Sequence, residues 1–194
     1  MYVSLPEKSI AVSKVFNTLD QAISQFQTVS GMDCFFGCGQ CCTKPDIEAS
    51  ILEFIPLAIQ HYEEGNAEQM YELLSADTDD PVCINFKSHA NQEDRGRCTQ
   101  YTNRGLICRL FGYSARVDKY GKNELVTCVR IKEESPEAYR KGAVHVKEGG
   151  EVPVMSNYYR QLQAIDFELA NQRLPINEAM LESLKIVMAY YAYR

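Results

Sequence analysis

Four cysteines occupy nine consecutive residues early in the chain, in the stretch CFFGCGQCC. Four more follow, and all eight lie in the window 34–128. None falls in the long helices that the hydrophobic pattern predicts, whereas cysteines that only fill a core would be spread over helix faces. The clustering therefore indicates a shared chemical role. The eight residues are Cys34, Cys38, Cys41, Cys42, Cys83, Cys98, Cys108 and Cys128.

The composition limits where such a cluster can work. The chain has 194 residues, of which 45% are hydrophobic and 24% are charged, as in ordinary globular proteins. A net charge of −6 disfavours nucleic-acid binding. The N-terminus lacks a basic and then apolar leader, and no apolar run is long enough to cross a membrane. We therefore expect a cytoplasmic protein without membrane contact, in which a disulfide framework is disfavoured.

Hydrophobic residues spaced by three and four positions predict helices at both ends of the chain. Gly31 is the predicted stop of the first helix, and Pro56 is expected to kink the second. The second helix is predicted to begin at Pro45 and Asp46. The predicted helices cover 9–30, 45–64, 67–74, 156–172 and a segment that begins at about 177.

The β-strands of the chain are predicted in its middle. A short strand is predicted at 82–86, followed by a polar loop at 88–97. The segment 113–131 predicts a hairpin that turns at 120–122. A pattern typical of a helix start follows at Ser135, Pro136 and Glu137. It predicts a short helical turn that ends at Tyr139.

These elements predict an α+β fold, a mostly helical single domain with a small β-hairpin element and a cysteine-rich metal-binding core. The single cysteine-cluster domain is expected to span 1–194. Its metal-binding region lies at about 31–130, and its helical C-terminal region lies at about 154–194.

Metal ligation fits the cysteine spacing, because thiolates two or three residues apart can converge on one ion. Gly37 and Gly39 flank Cys38 and allow backbone amides to approach the sulfurs and disperse their charge. The side chains of adjacent residues usually diverge. We therefore expect either that Cys41 and Cys42 bind two different centres, or that one of them is a ligand and the other is a free thiol. All-thiolate sites suit zinc, iron or an iron–sulfur cluster. Nearby cations that could offset the negative charge are Lys44, Arg97, Arg104 and Arg109.

Other interpretations of the cysteines are weaker. Scattered core thiols do not explain the clustering. The spacing Cys34-x3-Cys38-x2-Cys41 matches the cluster motif of radical S-adenosylmethionine enzymes, but Gln40 stands where those enzymes carry an aromatic residue. Their motif also follows a barrel strand, whereas this one follows a predicted helix.

The remaining polar residues give weaker signals. Among the histidines, His89 is the best candidate ligand, although an exposed loop position is the more consistent interpretation. His61 and His145 have no obvious ligand partners. The acidic run at 77–80 lacks the spacing of a calcium loop and predicts a solvated loop.

The cysteine region resembles the YkgJ family, a zinc- or iron-chelating cysteine-cluster domain of CxxCxxCC type. The resemblance rests on CFFGCGQCC, on PVCINF around Cys83, and on GRCTQYTNRGLICRLFG. In the last stretch, Cys98 and Cys108 match later cysteines of the family, and Arg109 and Phe111 match a Cys-Arg-x-Phe element. The resemblance covers about 30–115.

Two departures from the family pattern alter loops without removing a thiol. Family members often carry Arg-Pro shortly before the position of Cys108, where this chain has RGLI at 104–107. They tend to carry Pro-Phe-Leu after the position of Cys83, where this chain has INF at 84–86. Metal binding should survive both changes.

Three functions remain as alternatives. The resemblance implies a metal-binding protein with a metal or iron–sulfur site. We expect all eight cysteines to be ligands of zinc, iron or a [4Fe–4S] cluster, in one or two centres. A flagellin lysine N-methylase is similar over this region, which adds an iron–sulfur-dependent protein-modifying methyltransferase as a second alternative. A metal-free thiol redox sensor is the third. The metal ion or cluster is the one partner that the sequence predicts, and no residue is identified as catalytic.

Overall fold

The structure, a computed structural model, describes residues 4–76, 82–89 and 92–193. Helices dominate these residues, and the strands form three two-stranded antiparallel sheets. The prediction of a mostly helical α+β fold is confirmed. The helices are α1 Leu5–Ser30, α2 Ile51–Glu63, α3 Ala67–Ala76, α4 Leu106–Leu110, α5 Val129–Glu134, α6 Pro136–Lys147, α7 Met155–Ile165, α8 Phe167–Asn171 and α9 Ile176–Ala192. The strands are β1 Glu48–Ser50, β2 Phe86–His89, β3 Gln92–Cys98, β4 Ser114–Val117, β5 Asn123–Val126 and β6 Arg173–Pro175.

Helix α1 begins four residues before its predicted start, because a capping box fixes its N-terminus. The Ser4 hydroxyl accepts from the Glu7 amide, and the Glu7 carboxylate accepts from the Ser4 amide at 2.7 Å. The helix ends where predicted, at Gly31, whose φ of 73° closes the last turn. The buried stripe of α1 that faces the core consists of Val12, Val15, Phe16, Leu19, Ile23 and Phe26.

The predicted start of α2 at Pro45 and Asp46 is wrong. Residues 48–50 first form β1, which pairs with β6, and the helix begins at Ile51. A second capping box sets this boundary, because the Ser50 amide and hydroxyl both donate to the buried Glu53 carboxylate at 2.9 and 3.0 Å. Pro56 lies within the helix, as predicted.

The strand and loop assignments in the middle of the chain need two corrections. Residues 82–85 form turns instead of a strand, and the segment predicted as a polar loop forms most of the antiparallel pair β2–β3. The sequences of β2 and β3 lack the apolar alternation by which half-buried strands are recognised. The second hairpin, β4–β5, is where the pattern placed it, but it ends at Val126, because Cys128 caps α5.

The helices near the C-terminus also differ in length from the predictions. Helix α6 runs to Lys147 instead of stopping at Tyr139. The single helix predicted at 156–172 is divided into α7 and α8, because Asp166 adopts an extended conformation and its carboxylate caps α8. The acidic run at 77–80 lies outside the described residues.

The core lies among the long helices. Helix α2 packs against α9 and α1, and α1 also packs against α6 and α7. The region that carries the cysteines covers one part of this core, into which Leu106 and Leu110 of α4 insert. In the described part of the chain, no helix has the length and apolar character needed to cross a membrane. Fully buried side chains of the core include Leu19, Phe26, Leu52, Ile55, Leu162 and Leu184.

Candidate metal centre

The four-cysteine stretch folds as a series of tight turns. The Cys38 amide donates to the carbonyl of Phe35 at 3.1 Å, and the Cys42 amide donates to the carbonyl of Gly39 at 2.8 Å. Gly37 and Gly39 have φ angles of 68° and 61°, a conformation that other residues adopt only with strain. Glycine is therefore required at both positions for the turns to form, while the predicted approach of backbone amides to the sulfurs at these glycines stays a prediction.

The same glycines allow the loop to lie directly on the β2–β3 hairpin. A Cβ atom at Gly39 would stand 2.3 Å from the Phe86 ring, and one at Gly37 would stand 2.9 Å from Nε2 of His89. The Gly96 amide donates to the carbonyl of Gly37 at 3.1 Å. Larger side chains at 37 and 39 would push the cysteine loop away from the hairpin.

Backbone hydrogen bonds bring Cys42, Cys83 and Cys98 together. The Cys83 amide donates to the carbonyl of Cys42 at 3.0 Å. The Phe86 amide donates to the carbonyl of Cys83 at 2.8 Å, and Phe86 is the cross-strand partner of Cys98. One strand end, one turn and one loop, each with a cysteine, thus meet in a common region.

Helix α4 adds Cys108 to this region. Its N-terminus is held by Glu53, whose second carboxylate oxygen accepts from the Ile107 amide at 3.2 Å. Burial raises the pKa of the Cys108 thiol, and the nearby Cys83 and Glu53 raise it further. Burial also raises the pKa of Cys83 to about 11, with Cys98 and Cys41 adding to the effect.

A second neighbourhood contains Cys34, Cys38 and Cys128. The Arg130 guanidinium donates to the Cys38 sulfur and lies 4.9 Å from the centre of the Phe35 ring, so α5 rests on the cysteine loop. Partial withdrawal of the Cys34 sulfur from water raises its pKa to about 11, and the thiols of Cys38, Cys41 and Cys128 contribute to the increase. These mutual effects mark the sulfurs as close neighbours.

The adjacent cysteines occupy different positions relative to the two neighbourhoods. The Cys42 thiol donates to Cys41, which lowers the pKa of Cys41 and raises that of Cys42. Cys41 influences Cys34 as well as Cys83 and Cys108. The pKa of Cys42 is raised mainly by its hydrogen bond to Cys41 and by burial, with smaller contributions from Cys83 and Cys98. Cys41 therefore lies between the neighbourhoods, whereas Cys42 belongs with Cys83 and Cys98.

Backbone amides already point at several sulfurs. The backbone amides of Asn85 and Phe86 act on the Cys83 sulfur and lower its pKa against the larger effect of burial. The Ile131 amide donates to the sulfur of Cys128 at 3.3 Å. N–H···S bonds of this kind disperse the charge of metal-bound thiolates.

Buried polar atoms without a hydrogen-bond partner gather in the same region. The described residues contain four such side-chain atoms, and three can be related to cysteines. The Tyr113 hydroxyl is influenced by Cys34, and Arg104 favours the thiolate of Cys41. Thr127 directly precedes Cys128. Buried donors without acceptors require an explanation, and metal-bound thiolates would supply the missing acceptors.

The sulfurs are gathered but do not converge on one point. In the described ranges, no three His, Cys, Asp or Glu side chains stand in an arrangement that could hold a metal ion. Metal binding requires the thiols to lose their protons, so side-chain movement would accompany it. The donor set, the amide bonds to sulfur and the unpaired donors nonetheless fit a thiolate metal centre in their chemistry.

The predicted cations differ in their relation to the thiols. Lys44 and Arg97 are exposed, whereas Arg104 acts on Cys41, Cys98 and Cys108. The buried Arg109 is occupied mainly elsewhere: it pairs with Asp20 and Thr102 and donates to the carbonyl of Arg104 at 3.0 Å. Arg109 therefore ties α4 to α1.

The histidines are also accounted for. His89 is exposed on β2 and lies against Gly37 of the cysteine loop. His61 is buried, with Nδ1 at 2.7 Å from the Asn66 side-chain oxygen. Nε2 of His145 is 3.1 Å from the carbonyl of Glu151. Of the three, only His89 contacts the cysteine loop in a way that the structure records.

A cavity of about 460 Å³ lies away from the thiols, between α1, α6 and α7. Its lining includes Phe26, His145 and Tyr158 but none of the eight cysteines. It therefore offers no support for a thiol that works beside a substrate pocket.

Sequence reasoning missed three residues that shape this region. They are Tyr113, Glu53 and Arg130. Tyr113 lies within electrostatic range of Cys34, Glu53 supports the helix of Cys108, and Arg130 contacts Cys38. Only Glu53 carried a recognisable signal, the capping-box pattern Ser50-x-x-Glu53. The other two are brought to the thiols by tertiary contacts that no local pattern encodes.

Comparison with known proteins identifies the region that carries the thiols. Residues 33–134 match the family model "CxxCxxCC: Putative zinc- or iron-chelating domain". The chain belongs to the CxxCxxCC family. The match covers more than half of the chain, contains all eight cysteines and confirms the resemblance found in the sequence. No curated protein and no solved structure gives a significant match.

Proposed function

We propose that this chain binds zinc or iron through its eight cysteine thiolates. Membership of the CxxCxxCC family supports metal chelation in general. The observation that carries the assignment to these residues is the set of buried donors without acceptors at Arg104, Tyr113 and Thr127. Deprotonated, metal-bound sulfurs would give such donors a partner, whereas neutral thiols are weak acceptors.

The thiols divide into two sites of four. The outer site consists of Cys34, Cys38, Cys41 and Cys128. The inner site consists of Cys42, Cys83, Cys98 and Cys108. Backbone contacts among Cys42, Cys83 and Cys98 support the inner site, and the position of α5 on the cysteine loop supports the outer one. This division gives the adjacent Cys41 and Cys42 one centre each, so that their side chains need not converge.

Each site has the donor number of one zinc ion or one [4Fe–4S] cluster. Four thiolates leave a net charge near −2 on Zn²⁺ and also on a [4Fe–4S]²⁺ cluster. Arg104 beside the inner sulfurs and Arg130 beside Cys38 offset part of this charge. Bound metal would cross-link the cysteine loop, the β2–β3 hairpin, α4 and the N-terminus of α5.

Metal analysis of protein purified without oxygen tests the proposal. We expect two zinc ions per chain without colour, or about eight irons with matching sulfide and a visible absorption band if two clusters are bound. A variant with serine at all eight cysteine positions is the control and should bind neither metal. Wild-type protein that remains metal-free after anaerobic incubation with zinc, and after reconstitution with iron and sulfide, would overturn the proposal.

A further inference from the structure

We infer that the outer site exchanges its metal with the surroundings, while the inner site retains its metal. This inference rests on the proposed function. It goes further by giving the two sites different roles, an exchangeable site that loads and releases zinc or iron and a closed site that holds the fold.

The two sites differ in their most accessible ligand: the outer site contains an exposed cysteine beside the buried Cys38, whereas all four inner-site cysteines are buried or half-buried. Cys34 is exposed, and the side chain of Phe36 between Cys34 and Cys38 is 101% exposed. The ring of Phe36 therefore adds no burial that would hold this part of the loop. Cys83 is 8% exposed, and the inner-site residue Cys108 follows Leu106, which is fully buried. An incoming chelator or thiol can reach Cys34 without displacing a core residue.

The two sites also differ in what must break before a ligand can leave. Cys34 is held locally, by a bond from its amide to the Asp33 carboxylate at 2.8 Å and by a long contact of its sulfur with the Phe35 carbonyl at 3.9 Å. Both partners are its sequence neighbours, so Cys34 can swing out while the loop keeps its turns. Short, exposed segments with few buried contacts open at low free-energy cost.

Release of an inner ligand requires long-range contacts to open. Cys83 is tied to Cys42 by a backbone bond across the chain, and Cys98 lies in the β2–β3 ladder. Cys108 is held through the Glu53 bond to α4 and through the packing of Leu106 and Leu110 in the core. Opening the inner site therefore amounts to partial unfolding of the cysteine region.

Tyr113 adjusts how firmly the outer site holds Cys34. It is 7% exposed, and its hydroxyl has no hydrogen-bond partner. Once Cys34 is a metal-bound thiolate, this hydroxyl can donate to it and slow its departure. Tyr113 is thus a positioning residue for the exposed ligand.

Metal release to an excess of a coloured chelator, specific for zinc or for ferrous iron according to the metal found, tests the inference. We expect two phases of equal amplitude with rates that differ by about tenfold or more, since buried hydrogen bonds worth ~1.4 kcal/mol separate them. Cys34→Ser should remove the fast phase and leave the slow one. Cys98→Ser, the matched change in the inner site, should remove the slow phase.

Tyr113→Phe provides a test that keeps every ligand in place. It should accelerate the fast phase by about tenfold and leave the slow phase unchanged. Tyr158→Phe is the matched control, since Tyr158 is equally buried but lines the cavity away from the thiols, and it should alter neither phase. Circular dichroism of each variant establishes that the fold is intact.

The outcomes separate this inference from the proposed function. A single release phase from a protein that holds two metals, or loss of the slow phase in Cys34→Ser, would overturn the inference alone. A fast phase unaffected by Tyr113→Phe would overturn the role of Tyr113. A protein that holds no metal would overturn the proposed function and the inference together.

Discussion

The helical frame and the cysteine region of this protein are held together by different means. The helical frame, formed by α1, α2, α7 and α9, buries continuous stripes of large apolar side chains. The cysteine region, formed by the loop after Gly31, the hairpins β2–β3 and β4–β5, and helices α4 and α5, relies more on turns, backbone bonds and close glycine contacts. Three of its buried donors lack a partner. The helical frame can therefore fold by apolar burial alone. The cysteine region, in contrast, still needs acceptors for its buried donors, which metal-bound thiolates would supply.

Metal removal should produce the largest difference in stability between the cysteine region and the helical frame. Structural zinc contributes about 10–16 kcal/mol in small zinc domains, so its loss should open the cysteine region before the helical frame. We expect chelator treatment to abolish amide-exchange protection in β2, β3 and α4. Protection in the middle of α1 and α9 should persist, and equal loss in all these elements would contradict a separate frame.

A cavity created in the helical frame should lower the stability of the protein without lowering its metal content. Leu19→Ala removes a side chain that is 0% exposed and should lower the free energy of unfolding by about 2–5 kcal/mol. Metal content per folded chain should not change, because Leu19 lies on α1 and contacts the frame. The control is Ile10→Ala on the same helix, where the side chain is 70% exposed and the expected effect is negligible. Chemical denaturation combined with metal analysis measures both quantities.

Glu53→Gln should affect both regions, because Glu53 connects the N-termini of α2 and α4. Its carboxylate accepts three hydrogen bonds, from the Ser50 amide and hydroxyl and from the Ile107 amide. We expect a loss of about 1–3 kcal/mol in the free energy of unfolding near neutral pH. Inner-site metal release should become faster, while outer-site release should stay the same.

The pH dependence of this variant has a definite sign. Burial raises the pKa of Glu53 above its unfolded value of 4.5, so the folded state favours the protonated carboxyl. The stabilising contribution of that proton is fully present below pH 4.5 and is lost as pH rises through the folded pKa. The stability advantage of the wild type over Glu53→Gln should therefore shrink as pH rises from 4.5. An advantage that grows over this range would contradict the assignment.

The smallest expected effect concerns the end of the helical frame. Ser4→Ala removes the capping hydroxyl of α1 and should cost about 0.5–2 kcal/mol of stability. Neither metal content nor release rates should change, because the cap lies at the far end of α1 from Gly31. Thermal denaturation and chelator kinetics measure the two responses, and a change in release rate would show that the regions are coupled more tightly than described.

The sequence predicted those features that local chemistry determines. Apolar spacing found α1, and Gly31 marked its end, while the four clustered cysteines indicated a metal-binding region that the family match supports. Local patterns failed where tertiary contacts decide. The β2–β3 hairpin carries no apolar alternation in its sequence, and β1 exists because β6 pairs with it from the other end of the chain.

The proposed division of the thiols likewise lay beyond the sequence. Spacing left Cys41 and Cys42 with two interpretations, ligands of two centres or one ligand beside a free thiol. The backbone bond between Cys42 and Cys83, which are distant in sequence, favours the first interpretation. Tyr113 reaches Cys34 through the fold alone, so no sequence pattern could have revealed it.

The metal content of wild-type protein, Cys41→Ser and Cys42→Ser is the most direct test of the two-site proposal. Wild-type protein should hold two ions or two clusters, and each variant should hold one. The metal left in Cys41→Ser should be released slowly from the inner site, and that left in Cys42→Ser should be released rapidly from the outer site. If either variant retained the full wild-type metal content, or if both lost the same phase, the division of the eight thiols into two sites would be contradicted.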